Sequence, residues 1–327
     1  MTVVRVALPV PLRQHFDYLI DHALPAQVGC RVRVPFGSRQ LVGIIWQLAP
    51  ADGFAADKLK PVLALLDSRP VLPELLCRLL SFAAEYYHHP LGEVLISALP
   101  ALLREGRNLA DYQPKAYQLT AKGQALDDVA LKRSPKQLAL WQELAKHSLT
   151  ESVLLQQYSR ATLKQLLDKQ LAEEVIVPPE PYSAPKVMPQ GLKLTASQAL
   201  AVTAVTQAIG RFERLLLEGV TGSGKTEVYL QSIESVLSMQ QQVLVIVPEI
   251  GLTPQTLARF QARFDVPVLC WHSALSDSER LHCWLQASTG AAAIIIGTRS
   301  ALFLPFWRLG LIIIDEEHDQ SLKQQDG

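Results

Sequence analysis

The chain has 327 residues, with 31 Lys+Arg against 31 Asp+Glu and 49% hydrophobic residues. That length predicts two or three domains, and the even charge excludes a protein that holds nucleic acid by bulk charge, leaving only local patches. Four scattered cysteines (Cys30, Cys77, Cys270 and Cys283) exclude a C-x-x-C zinc site or a disulfide framework within this segment, and apolar runs such as Ala291–Ile296 are too short to span a membrane.

With no signal-peptide stretch at the start, a cytoplasmic protein without a membrane partner is expected. Residues 1–104 read as a small mixed β/α domain. Short strands are predicted over Val3–Leu8, Phe16–Ile20, Cys30–Val34 and Leu41–Leu48, punctuated by Pro and Gly. Alternation sends Cys30, Val32 and Val34 to one face and Arg31 and Arg33 to the other, where the two arginines are expected to meet solvent or phosphates. Helical spacing of Leu75, Leu76, Leu79, Leu80, Ala83, Tyr86 and Tyr87 predicts a helix over Glu74–Tyr87. Residues 115–178 change character: three short helical patterns, Ser134–His147, Glu151–Tyr158 and Arg160–Gln170, precede a strand over Leu171–Val177. That order outlines a winged-helix module. Five prolines in Pro178–Pro189 predict an extended linker over 179–190. From 191 to 327 the apolar runs Leu215–Leu217, Val243–Val247, Pro267–Leu269, Ala293–Ile296 and Leu311–Ile314 alternate with helical stretches. Continuous apolar runs suit strands of a parallel α/β sheet buried on both faces.

Two local patterns carry chemistry. Leu215–Leu217 leads into Gly219-Val-Thr-Gly-Ser-Gly-Lys-Thr226, and a helical run over Glu227–Met239 follows. Strand, G-x-x-x-x-G-K-T and helix together specify a phosphate-binding loop. Gly219, Thr221, Gly222, Ser223 and Gly224 would turn backbone N–H groups onto phosphates, Lys225 would reach the β- and γ-phosphates, and Thr226 would place its hydroxyl on Mg²⁺. Leu311-Ile-Ile-Ile314 ends in Asp315-Glu316-Glu317-His318. Asp315 would hold Mg²⁺ of ATP through water, and Glu316 would orient or deprotonate the attacking water.

Asp315-Glu-Glu-His318 with Gly219–Tyr229 upstream resembles the superfamily 2 helicases, and Pro248–Gln255 and Gly297–Phe303 look like that superfamily's motifs Ia and Ib. Together with His272–Arg280, Ala7–Pro11, Phe16–Tyr18, Cys30–Gly37 and Tyr86–Pro90, the whole chain resembles the PriA family of replication-restart helicases. The resemblance implies a multidomain fold: the N-terminal DNA-binding domain, the winged helix and a RecA-like first helicase lobe. It also implies an ATP-dependent 3′→5′ helicase that recognises stalled forks by the nascent 3′ end and promotes primosome assembly.

The same resemblance assigns a 3′-end pocket to Phe16, Asp17, Tyr18, Gly37 and Lys60. An aromatic face would stack on the terminal base while the Asp17 carboxylate accepts the 3′-hydroxyl. Gln198 is expected to read adenine, Arg299 and Ser300 to meet phosphates of the tracked strand, and His318 to couple nucleotide state to bound DNA. Implied partners are forked and single-stranded DNA, single-strand-binding protein and other primosome proteins. A complete enzyme of this kind adds a second lobe with an arginine finger, a zinc module and a C-terminal domain. None lies in this segment, so no bound zinc is expected and turnover by the segment alone should be very slow. Two other readings remain: a fork-binding and partner-docking module without significant turnover, and a P-loop kinase or transporter ATPase. Stimulation of hydrolysis by DNA, rather than by a small acceptor, separates the helicase from the last.

Overall fold

The computed structural model describes residues 1–50, 58–177, 179–183, 192–220 and 222–322. The chain forms two compact units, one made of Met1–Asn108 with Glu180–Gly327 and the other of Leu109–Pro179.

The N-terminal part begins with β1 (Thr2–Ala7), β2 (Phe16–Ile20), β3 (Arg31–Phe36), β4 (Arg39–Pro50) and β5 (Ala64–Leu65). They form an antiparallel sheet in the order β2-β1-β4-β3-β5. Alternation works as expected on one face: Val4, Val6, Leu8, Cys30, Val32, Val34 and Ile45 pack into one core. On the other face it misleads. Arg31 is 0% exposed, because Asp67 approaches that face and takes its guanidinium and backbone N–H. Arg31 therefore meets neither solvent nor phosphate, and Arg33 is half-buried, its Nη2 donating to Gly106 O at 3.4 Å.

Helices α1 (Glu74–Tyr86), α2 (Leu91–Ser97) and α3 (Ala101–Arg104) follow. Only part of the apolar stripe of α1 faces inward: Leu76, Cys77, Leu80 and Ala84 are buried, whereas Leu75, Leu79, Phe82 and Tyr86 lie exposed.

The second unit contains β6 (Lys115–Leu119), α4 (Ala121–Gln124), α5 (Pro135–Leu144), β7 (Leu149–Thr150), α6 (Glu151–Gln157), α7 (Arg160–Asp168) and β8 (Ala172–Ile176). Its sheet has the order β7-β6-β8, all pairs antiparallel. Leu140, Leu154 and Leu166, one from each of α5, α6 and α7, are fully buried in its core.

The C-terminal part runs α8 (Ala196–Ala208), α9 (Lys225–Ser238), β9 (Gln242–Ile246), α10 (Pro254–Arg263), β10 (Val268–Trp271), α11 (Asp277–Thr289), β11 (Ile294–Gly297) and β12 (Leu309–Ile314). The sheet is parallel, in the order β10-β11-β9-β12. Every residue of β9 and β11 is buried, as central strands covered by crossover helices require. One expected strand is missing. Leu215–Leu217 pairs with no strand among the described residues, Leu216 is 72% exposed, and β12 forms the sheet edge with Ile314 51% exposed. An apolar run is only a candidate strand; its ladder bonds must come from a distant neighbour, and none among the described residues supplies them.

Candidate nucleotide site and nucleic-acid contacts

Helix α9 is the organising element. Gly224 caps it with φ +82°, and Gly222 precedes with φ +80°, the left-handed region that side chains resist. A Cβ on Gly224 would come within 2.4 Å of Gln198 Nε2, and one on Gly219 within 2.5 Å of Ser223 Oγ. Neighbouring side chains thus crowd Gly219 and Gly224, Gly222 stands in open space with a left-handed backbone, and these glycines fit a phosphate chain lying against backbone N–H groups. Lys225 bends back over it, its Nζ donating to Gly219 O at 2.6 Å. Thr221 lies outside the described residues.

Gln198 belongs to this site, though its amide is already engaged. Oε1 accepts from Thr195 N–H in a capping box that starts α8, and Nε2 donates to Ser223 O at 2.9 Å. Gln198 thereby ties the start of α8 to the loop.

Thr226 occupies the first turn of α9, and one turn on, Tyr229 donates its O–H to Asp315 Oδ1 at 3.2 Å. Burial raises the Tyr229 pKa first, followed by the Asp315 charge and the hydrogen bond to it, so the phenol stays a protonated donor. Asp315 directly follows β12, its N–H donating to Ile246 O at 2.9 Å. The helix that carries Lys225 and Thr226 is therefore joined to the acidic residue after the strand by Tyr229, to which sequence reasoning gave no role. Its signal was present: Tyr229 stands four residues after Lys225, on the same helical face. The donor set of an ammonium, a hydroxyl and a carboxylate fits Mg·ATP.

Glu316 adopts φ +50°, a left-handed conformation that costs a non-glycine residue about 1–3 kcal/mol. Its N–H donates to Asp315 Oδ1 at 3.1 Å, and its carboxylate lies 3.5 Å from His318 Nε2. His318 is itself exposed.

The N-terminal set is brought only partly together. Phe16 is half-buried and meets Phe36 edge-on at 5.2 Å; Gly37 follows, at φ +58°, in the turn between β3 and β4. Asp17 is paired with Arg5 Nε at 3.1 Å. Tyr18 belongs to the core, its O–H donating to Pro35 O, so no face of its ring is open for stacking. Lys60 is exposed, and its carbonyl accepts from Leu19 N–H, which fastens it beside β2. Arg299 and Ser300 are exposed after β11, and Ser300 Oγ accepts the indole N–H of Trp271.

No helix of the described residues is long and apolar enough to cross a membrane. Residues 5–100 match the family model of the 3′ DNA-binding domain of PriA, and residues 195–326 match that of the DEAD/DEAH box helicases. The chain is 44% identical to the replication restart protein PriA of Haemophilus influenzae, an alignment covering 100% of this chain and 46% of that protein. It is 32% identical to the PriA proteins of Chlamydia pneumoniae, over 98% of this chain and 45% of the relative, and of Bacillus subtilis, over 95% and 48%. The chain thus spans a little under half the length of these curated relatives. With a 3′ DNA-binding domain ahead of a helicase domain, and PriA proteins matching it from end to end, this chain belongs to the PriA replication restart family.

Proposed function

We propose that the protein is an ATP-driven 3′→5′ DNA helicase or translocase. It recognises a stalled fork by its nascent 3′ end and prepares it for primosome assembly in the cytoplasm. The observation that carries this reading is the Tyr229–Asp315 bond, which joins the loop helix to the acidic strand end in a chain that also matches a 3′ DNA-binding domain. Lys225 would bind the β- and γ-phosphates, and Thr226 and Asp315 would hold Mg²⁺, which when bound would supply positive charge against the charge developing on the phosphates. Tyr229 fixes the Asp315 carboxylate by its hydrogen bond. Glu316 orients or deprotonates the water, its carboxylate lying 3.5 Å from His318 Nε2. His318 then reports nucleotide state to bound DNA, and Arg299 meets the strand's phosphates.

Within the N-terminal part, Phe16 stacks on the terminal base, Asp17 accepts the 3′-hydroxyl, Gly37 lets the backbone come close and Lys60 neutralises a phosphate. The unit Leu109–Pro179, four helices on a small antiparallel sheet, acts as a winged helix on the fork duplex. Single-strand-binding protein and other primosome proteins are the proposed partners. A second reading, a fork-binding module with little turnover, draws on Leu215–Leu217, which leads into the loop without forming a strand.

One experiment separates them: ATP hydrolysis on forks whose leading strand ends in 3′-OH or 3′-phosphate, with Asp17→Ala and Glu316→Gln. The helicase reading expects a 3′-OH preference lost in Asp17→Ala, and a loss of hydrolysis of roughly 10²–10⁴-fold in Glu316→Gln with ATP binding kept. Hydrolysis indifferent to DNA and to Glu316 overturns it.

A further inference from the structure

The segment His272–Arg280 has no part in the nucleotide site, yet its loop is firmly held. Trp271 ends β10 and donates its indole N–H to Ser300 Oγ at 2.9 Å. Arg280 Nη2 donates to the carbonyls of His272 and Ser273, each at 3.1 Å, while its guanidinium lies over the Trp271 ring, 5.2 Å from the centroid. Ser276 and Glu279 form a capping box at the start of α11. These contacts fix His272 and Ser273 in one wall of a cleft of about 230 Å³, whose other lining residues are Glu249, Leu252 and Thr298.

The five residues follow β9, β10 and β11, so the cleft lies at the carboxyl ends of three neighbouring strands. The chain leaving β9 runs to β10, and the chain leaving β11 crosses to β12 on the far side of β9. Connections of one hand that depart in opposite directions open a crevice between their strands, where open parallel sheets bind ligands. The volume is below the roughly 300–1,000 Å³ of sites for drug-sized ligands and is on the scale of one nucleobase.

Its chemistry narrows the ligand. Glu249 supplies a carboxylate, which accepts hydrogen bonds, donates none and repels phosphate. A strand phosphate belongs outside, near exposed Arg299; inside, the carboxylate calls for an N–H group. In a DNA strand that group is the exocyclic amine of cytosine or adenine. Thymine puts its O4 acceptor where cytosine carries the N4 amine. Ser273 and Thr298 hydroxyls and the His272 ring remain to donate to the acceptor beside that amine.

We propose that this cleft takes one unstacked base of the bound single strand, with Glu249 accepting a hydrogen bond from the exocyclic amine, so that cytosine and adenine are held better than thymine. This rests on the strand-tracking function proposed above. Cytosine and thymine, both weakly stacking pyrimidines, give the cleanest comparison. The test is binding of the full-length protein to oligodeoxycytidylate and oligothymidylate of equal length, both blocked by a 3′-phosphate so that the N-terminal pocket does not contribute. The wild type is expected to prefer cytidylate by roughly threefold to tenfold. In Glu249→Gln, whose amide also donates to thymine O4, the two affinities should converge. Equal wild-type affinities, or a preference that survives in Glu249→Gln, overturn the base cleft while leaving the helicase reading intact. Failure to bind either oligonucleotide removes that reading, and this inference with it.

Discussion

The antiparallel N-terminal sheet and the parallel C-terminal sheet each bury one long polar side chain completely, Arg31 in β3 and Gln242 at the start of β9. Both fasten a strand to distant chain. Arg31 Nη1 donates to Leu103 O and Arg107 O, at 2.7 and 3.0 Å, holding the end of α3 and the residues beyond it on the sheet. Gln242 Nε2 donates to Ala287 O and Ala292 O, and its Oε1 accepts from the N–H groups of Trp307 and Arg308. The difference is charge. A neutral amide is satisfied by backbone alone, whereas a buried guanidinium also needs Asp67, 2.7 Å away, so the N-terminal fold depends on two side chains at once.

Removing one member of the charged pair should therefore have the largest effect. Asp67→Ala leaves a buried guanidinium with two carbonyl acceptors and no counter-charge and is expected to cost about 3–5 kcal/mol, read as a shift of the urea midpoint. Arg31→Met with Asp67→Leu should recover most of that loss. If the double variant is as unstable as the single one, the carbonyls of Leu103 and Arg107 matter more than the charge, and the contrast with Gln242 disappears. Gln242→Leu comes next. It orphans the Ala292 carbonyl, at a fully buried residue, while the Ala287 carbonyl keeps the N–H groups of Gly290 and Trp307, and Arg308 is exposed so that its N–H can turn to water. Roughly 1–3 kcal/mol is expected from the same denaturation curve.

These two residues also mark how far the sequence could be read. The phosphate loop and the acidic strand end were legible because their chemistry lies in consecutive residues: eight positions, Gly219 to Thr226, hold the glycines, Lys225 and Thr226 together. The alternation of β3 was equally legible, but it says only that Arg31 and Val32 face opposite ways. That Asp67, 36 residues on, would cover the arginine is non-local and left no mark in the pattern. Leu215–Leu217 failed in the same way, since apolarity reports a wish for burial and not the presence of a ladder partner. The α1 stripe is a further case: helical spacing marked the helix but not which part of the stripe is covered, and Leu76 and Leu80 are buried while Leu75 and Leu79 are exposed.

Tyr229 lies between the two extremes, a neutral hydroxyl on a charged carboxylate at a half-buried site. Tyr229→Phe removes one hydrogen bond and is expected to weaken Mg·ATP binding by about 1–1.5 kcal/mol, roughly tenfold, measured by titration with a fluorescent nucleotide. Because its pKa is raised in the fold, the contribution to stability is complete below the ordinary tyrosine value near 10 and is lost only as pH climbs through the higher folded value. Stability should thus show no loss from this group between pH 7 and about 9. A wild-type decline there that is absent in Tyr229→Phe would contradict the protonated-donor role.

The smallest effect tests whether the Gln242 anchor acts alone. Helix α11 is held at its C-terminal end by Gln242 through Ala287 O and at its N-terminal end by the Ser276–Glu279 capping box. Ser276→Ala is expected to cost about 0.5–1 kcal/mol. Its hydrogen bonds to Ser276 depress the Glu279 carboxyl pKa, so the box stabilises above the ordinary glutamate value and loses its effect as pH falls through the lowered one. Ten residues of helix separate Ser276 from Ala287, about 15 Å at the helical rise, a distance at which independent sites add to within about 0.5 kcal/mol. Ser276→Ala combined with Gln242→Leu should then lose the sum of the two single costs. A loss well below that sum would mean that freeing either end already releases the whole helix. Gln242 would then hold α11 as a unit, much as Arg31 and Asp67 hold the end of the N-terminal part.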